Sequence, residues 1–174
     1  MNLLYLISVR KLLLLSILFN SYCGLSQDSL TADYINSIVS RIEERLPFLT
    51  MERKDTLIYE ENDSLNKNIP LSVRTEYYFN LNNNHVEKII ERTRYKTLVT
   101  ELTMYYLMGQ PIRFSTTQRE GNVIKMDFDV FYMNDHYVHF INRNGRKGKP
   151  DGDQFLKWCY QLLHSYDKNS FENK

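Results

Sequence analysis

Asp127 and Asp129 stand two residues apart in the run VIKMDFDVFYM. On a strand that spacing puts both carboxylates on one face, roughly 7 Å apart. Paired carboxylates at such separations do acid–base work in glycosidases. The solvated face of a half-exposed strand produces the same alternation. His136 and His139 have an H-x-x-H spacing, but residues three apart on a strand point to opposite faces and cannot share a metal ion. Cys159 is followed five residues later by His164, about 500° around a helix, so the pair does not stack as a thiol–imidazole dyad. No P-loop, G-x-G-x-x-G, G-x-S-x-G or C-x-x-C motif occurs. These residues assign no catalytic set, no metal site and no cofactor.

Two features favour binding. Arg143, Arg146, Lys147 and Lys149 form a basic stretch punctuated by glycine, where backbone N–H groups can approach an anion. A solvated linker has the same composition. Tyr78, Tyr105 and Phe131 alternate with core positions and are expected to face away from the helices. An exposed aromatic stripe can stack on sugars or meet a protein, while cross-strand pairing accounts for the same residues structurally.

The elements that must position these groups begin after an address. Arg10 and Lys11 precede the apolar run LLLLSILF (12–19), and Gly24-Leu25-Ser26 places small residues at −3 and −1 before Gln27. This reads as a secretory signal peptide over 1–26. The uncharged run from Leu12 to Gln27 is 16 residues, short of the ~20 that span a bilayer. Lipidation at Cys23 is the rival reading, although Asn20 and Tyr22 occupy positions where a lipobox places aliphatic and small residues. The junction resembles signal peptides of certain Gram-negative bacteria. Cleavage changes the net charge from +1 to −1, with 20 basic against 21 acidic residues, and leaves Cys159 as the sole cysteine. A single cysteine forms no internal disulfide. The near-neutral balance argues against nucleic acid as a partner.

The mature chain, 27–174, is expected to be a single α+β domain. Leu30, Tyr34, Ile38, Ile42 and Leu46, widened by Ile35 and Val39, predict a helix, capped by Ser29 or Thr31 and stopped by Pro47. Thr56–Glu60 reads as a first strand, 63–70 as a loop, and Asn62-Asp63-Ser64 matches a glycosylation triplet. Between about 72 and 142, aromatic pairs at Tyr77-Tyr78, Tyr105-Tyr106 and Phe131-Tyr132 recur at 28 and 26 residues. Each precedes a turn and an alternating run, which predicts three hairpin repeats. Asn134-Asp135 as a two-residue turn would pair Tyr132 with Tyr137, Val130 with His139 and Phe128 with Ile141. A three-residue loop, Met108-Gly109-Gln110, would set Ile112 and Phe114 on the core side, and Asn82-Asn83-Asn84 fits a third turn. A helix over about 152–167, capped by Asp151 or Asp153, buries Phe155, Cys159 or Trp158, Leu162, Leu163 and Tyr166.

One apolar sheet face needs cover, and two amphipathic helices are available. The expected fold is an antiparallel six- or seven-stranded β-meander with the N-terminal and C-terminal helices packed on one face; a closed barrel is the alternative. EYYFN (76–80), MYYLMGQPIRF (104–114) and VFYMNDHYVHFI (130–141) resemble the YY-x-NG-x-I-x-F hairpins of uncharacterised secreted bacterial β-meander proteins, and distantly MORN-type repeats. The resemblance covers roughly 70 of 148 mature residues. Met108-Gly109 and Asn134-Asp135 replace its Asn-Gly turn. It implies architecture and export and carries no catalytic residue. Three functions follow for this exported chain, secreted or periplasmic and without a stable membrane span. The first is a non-enzymatic binding or structural module for a protein, peptide or glycan of the cell envelope. The second is a hydrolase using the Asp127/Asp129 face with a histidine. The third is an inhibitor or immunity-like protein.

Overall fold

The computed structural model describes residues 30–60, 69–144 and 151–172. The signal segment, the glycosylation triplet and the basic residues Arg146, Lys147 and Lys149 lie outside them. Residues 30–45 form helix α1, which ends two residues before Pro47 in a 3-10 turn, Leu46–Phe48. Seven strands follow: β1 (Thr50–Glu60), β2 (Ile69–Asn80), β3 (His85–Tyr95), β4 (Leu98–Leu107), β5 (Gln110–Glu120), β6 (Val123–Met133) and β7 (His136–Asn142). Helix α2 (Gly152–Glu172) closes the described chain. The strands pair antiparallel in sequence order, β1 to β7, so the sheet is an open seven-stranded meander rather than a barrel, and the fold is α+β.

Tight turns set the register. Met108 and Gly109, and likewise Asn134 and Asp135, take positive φ, the geometry that matches the twist of two-residue hairpins. Leu107 therefore pairs with Gln110, and Met133 with His136. The loop at 108–110 is thus one residue shorter than its sequence indicates. Beyond each turn the ladder slips by one. Bulges leave Glu87, Ile112 and Val138 without a direct partner in the β2–β3, β4–β5 and β6–β7 pairs.

A one-residue slip turns every following side chain to the other face. The pairing Tyr132 with Tyr137 holds, but past Val138 the partners become Phe131 with His139, Val130 with Phe140 and Asp129 with Ile141. His139 and Ile141, expected on the face of Val130, lie on the face of Phe131. Phe140 takes the core place instead, 5.6 Å from Phe128 between ring centroids. Ile112 moves in the same way, away from Phe114 and toward Tyr105 and Phe131.

The sheet consequently has two buried faces, and the two helices lie on opposite sides rather than on one. Helix α2 covers Tyr77, Ile89, Met104, Tyr106, Phe114, Val130 and Tyr132 with Phe155, Cys159, Leu162 and Tyr166. Asp151 caps it as expected, its carboxylate accepting the N–H groups of Asp153 (3.1 Å) and Gln154 (3.2 Å). Cys159, not Trp158, is the inward residue; Cys159 is fully buried and Trp158 is 39% exposed. Tyr106 donates its hydroxyl to the Cys159 carbonyl (2.8 Å) and Tyr132 to the Gly152 carbonyl (2.8 Å), which fixes the helix lengthwise. Helix α1 covers the other face with Ala32, Ile35, Val39 and Ile42. Leu30 and Tyr34, expected in its apolar stripe, are exposed, because the buried stripe is rotated toward 32, 35, 39 and 42.

Candidate functional surface

The bulges bring one row of side chains onto the face beneath α1. Tyr78, Lys88, Tyr105, Arg113, Phe131 and His139 are directly paired neighbours from β2 to β7. From Tyr78 to Phe131, aromatic and cationic side chains alternate along it. The Lys88 ammonium lies 5.9 Å from the Tyr78 ring centroid and 5.3 Å from that of Tyr105. The Arg113 guanidinium lies 5.7 Å from Tyr105 and 5.6 Å from Phe131, and Phe131 lies 5.8 Å from His139. The lysine and arginine contacts are at cation–π distances, and Phe131–His139 is a contact between rings.

Helix α1 closes the row with polar groups. Glu43 accepts from Lys88 (2.7 Å) and from the Tyr105 hydroxyl (2.5 Å), Asn36 accepts from Arg113 (3.3 Å), and Arg45 donates to Glu87 (2.8 Å). Burial works to raise the Glu43 carboxyl, but the bonds from Lys88 and Tyr105 and the nearby cations outweigh it and hold it below its ordinary value. Burial and the same carboxylate keep the Tyr105 phenol protonated far above its usual range. Tyr105 and Phe131 are therefore buried and Tyr78 is half-buried. They share one face, as expected, but they are not an exposed stripe: α1 occupies the side that was expected to be free of helices.

One row further along, Asp129 is 1% exposed. Its Oδ2 receives Arg113 Nη2 (2.9 Å) and Arg143 Nη2, while Arg143 Nη1 reaches Asp127 (3.0 Å). Arg143 thus bridges the two carboxylates whose spacing drew attention in the sequence. Neither carboxylate has a histidine partner among the described residues. His85 and His136 both sit at exposed hairpin ends. Three buried atoms here, Asp129 Oδ1, Arg113 Nε and Ser115 Oγ, have no hydrogen-bond partner. Lys88, Arg113, Glu43 and Asn36 had no marker in the sequence, because the register that aligns them depends on the bulges.

Beyond this buried cluster the same face is open. The next row runs Asp55, Arg74, Arg92, Glu101, Thr117 and Asp127 across β1 to β6. Asp55 binds Arg53 and Arg74 (2.8 Å each), and Arg92 bridges Glu76 (3.1 Å) and Glu101 (2.7 Å). One row out, Arg94 pairs with Val99, which pairs with Arg119. Arg94 and Arg119 make no ion pair or hydrogen bond among the described residues. Two adjoining shallow grooves, ≈220 Å³ and ≈140 Å³, meet at Val99; Arg74, Arg92 and Arg94 line one, and Glu101, Thr117 and Arg119 the other. Every cation of this open area is an arginine: 53, 74, 92, 94, 119 and 143. No helix among the described residues is long and apolar enough to cross a membrane. No protein-family model matches the sequence, and no match was found among curated proteins or solved structures.

Proposed function

We propose that this chain is an exported, non-enzymatic binding module of the periplasm or the cell exterior. Its contact surface is the open half of the α1-side sheet face, and its ligand is anionic. The observation that carries this reading is the uncommitted pair Arg94 and Arg119. Six arginines against four exposed or half-exposed carboxylates (Asp55, Glu76, Glu101 and Asp127) leave this area two positive, on a mature chain of net −1. Their Cα atoms lie two strand spacings apart, about 10 Å, on either side of Val99. Guanidinium groups grip carboxylate and phosphate oxygens bidentately and lose less hydration than ammonium groups in doing so. The neighbouring ion pairs hold Arg74 and Arg92 in place.

The three bulged hairpins are read as copies of one unit, which agrees with the resemblance to secreted hairpin-repeat proteins. Arg143, committed to Asp127 and Asp129, belongs to the framework of the surface rather than to its ligand-binding part. Both carboxylates are bridged by Arg143 and neither meets a histidine among the described residues, so the second half of a hydrolase acid–base couple is not assembled beside them.

The test is capture from the native envelope fraction with the protein and with an Arg94→Glu/Arg119→Glu variant checked for an unchanged far-UV spectrum. The expected result is a component retained by the protein, eluted by rising salt, and absent from the variant. Equal recovery on both, or no retained component on either, refutes the assignment.

A further inference from the structure

The opposite side of the sheet holds a second, unrelated feature. A groove of ≈330 Å³ runs between α2 and the sheet, lined by Glu91, Leu102, Trp158, Gln161, Leu162 and Ser165. Its walls are mostly apolar: Leu102 from β4, and Leu162 and the Trp158 indole from α2. Trp158 is 39% exposed and is held edge-on by Phe155, with ring centroids 5.4 Å apart. At the sheet side sits the Glu91 carboxylate. Its direct neighbours across the strands are Thr75 and Leu102. Its single bond among the described residues is a long one from the Thr75 hydroxyl, 3.5 Å. Among the described residues no cation pairs with it. Lys54, one strand beyond Thr75 on the same face, is exposed at the sheet edge. Burial raises the Glu91 carboxyl above its ordinary value, which marks the absence of a compensating charge.

A part-buried carboxylate without a cation, set in an apolar groove beside an aromatic face, is complementary to one kind of ligand. We propose that this groove binds a small organic ammonium compound, its charged head on Glu91 and its apolar body between Leu102, Leu162 and Trp158. The ammonium supplies an ion pair that Glu91 does not make among the described residues, and the indole face adds a cation–π contact for a head group within about 6 Å. The apolar walls bury the hydrocarbon part, as in small-molecule sites generally. This site lies on the other face from Arg94 and Arg119, so it stands or falls independently of the surface proposed above.

Trp158 is the only tryptophan of the chain and reports on the groove directly. Its emission is followed while the protein is titrated with phenethylammonium chloride and, separately, with the neutral isostere 2-phenylethanol. The expected result is a saturable change with the ammonium compound and at least tenfold weaker binding of the alcohol. Glu91→Gln, with its far-UV spectrum checked, weakens ammonium binding at least tenfold and leaves the alcohol unchanged. Gln161→Lys, which places a cation opposite Glu91, also removes ammonium binding and covers the case in which Glu91→Gln fails to fold. Equal affinity for ammonium and alcohol, binding undiminished in both variants, or no saturable change at all overturns the proposal.

Discussion

Replacing Asp129 by Asn tests whether the buried cluster is held by charge. Asp129 is 1% exposed and Arg113, the more buried of its two cations, has a side chain 17% exposed. Asn keeps the size and one acceptor but removes the charge, so Arg113 and Arg143 face each other across a neutral amide. Removing one partner of a buried ion pair costs about 3–5 kcal/mol. The amide retains a hydrogen bond and Arg113 is partly hydrated, which places Asp129→Asn near the lower end, ~3 kcal/mol by the same rule. In a domain of this size, each kcal/mol lowers Tm by about 2–4 °C, so the expected drop is roughly 10 °C. Arg143→Ala is expected to cost only ~1 kcal/mol, because its side chain is 45% exposed and solvent screens it, while Arg113 still neutralises Asp129. The network is only partly satisfied, with Asp129 Oδ1, Arg113 Nε and Ser115 Oγ unpaired. A combined Arg113→Met/Asp129→Leu/Arg143→Met variant should therefore recover the loss or exceed the parent. Urea denaturation followed by Trp158 emission and far-UV dichroism measures all four proteins. An Asp129→Asn variant within 0.5 kcal/mol of the parent, or an Arg143→Ala loss as large as that of Asp129→Asn, refutes the reasoning.

Two further outcomes follow from perturbed groups. Glu43 is held below its ordinary value of 4.5, so its contribution is fully present above that value and is lost as pH falls below it through the folded-state pKa. Glu43→Gln should therefore be less stable than the parent at pH 7, with the gap closing toward pH 3, as urea midpoints across that range will show. Burial pushes the Cys159 thiol up to about 12; the protein with a cleaved signal segment should react with a disulfide reagent only when urea unfolds it, and rapid labelling of the folded protein would contradict its place under α2.

The sequence made the hairpins legible and hid the faces. Asn134-Asp135 sits between alternating runs, and its turn, the first two pairings beyond it and the existence of seven strands all follow from local chemistry. The bulges do not. The residues at 87, 112 and 138 are Glu, Ile and Val, three types with no shared preference, because a bulge is selected by what the slipped register allows to pack rather than by the bulged residue. One such slip moved His139 and Ile141 beneath α1 and Phe140 beneath α2. The aromatic pairs were visible from spacing. That both members of each pair would be covered, by a different helix on each side, depended on long-range packing. The first half of β1, ahead of the strand read at Thr56–Glu60, was hidden for a different reason. It is the sheet edge, exposed along 51–58 on both faces, so MERKD carries no alternation to read; its charges are the kind that protect an edge from pairing with another chain.

The lengths of the elements explain why part of each face is left open, and the composition of those parts separates packing from use. Strands of 10–12 residues extend over about 35 Å. A helix crossing them shields a band of only about 10–12 Å. Each face must therefore carry polar side chains beyond its helix, whatever the protein does. On the α2 side that requirement is met by Thr56, Thr93, Thr100 and Gln118, with Gln118 donating to Thr100 (3.1 Å). This row is neutral hydroxyl and amide groups, and the charges near it are Lys54 and Glu91 in the next row and the Lys125–Glu120 pair at its end. On the α1 side the equivalent row is Asp55, Arg74, Arg92, Glu101, Thr117 and Asp127, flanked by Arg94 and Arg119. Exposed ion pairs of this kind add little stability, about 0–1 kcal/mol each, and the two guanidiniums that make no ion pair among the described residues add none by that route. Solubility and folding account for the threonine face. They leave the choice of arginine on the other face unexplained, and the anionic partner proposed above is a requirement that would account for this choice.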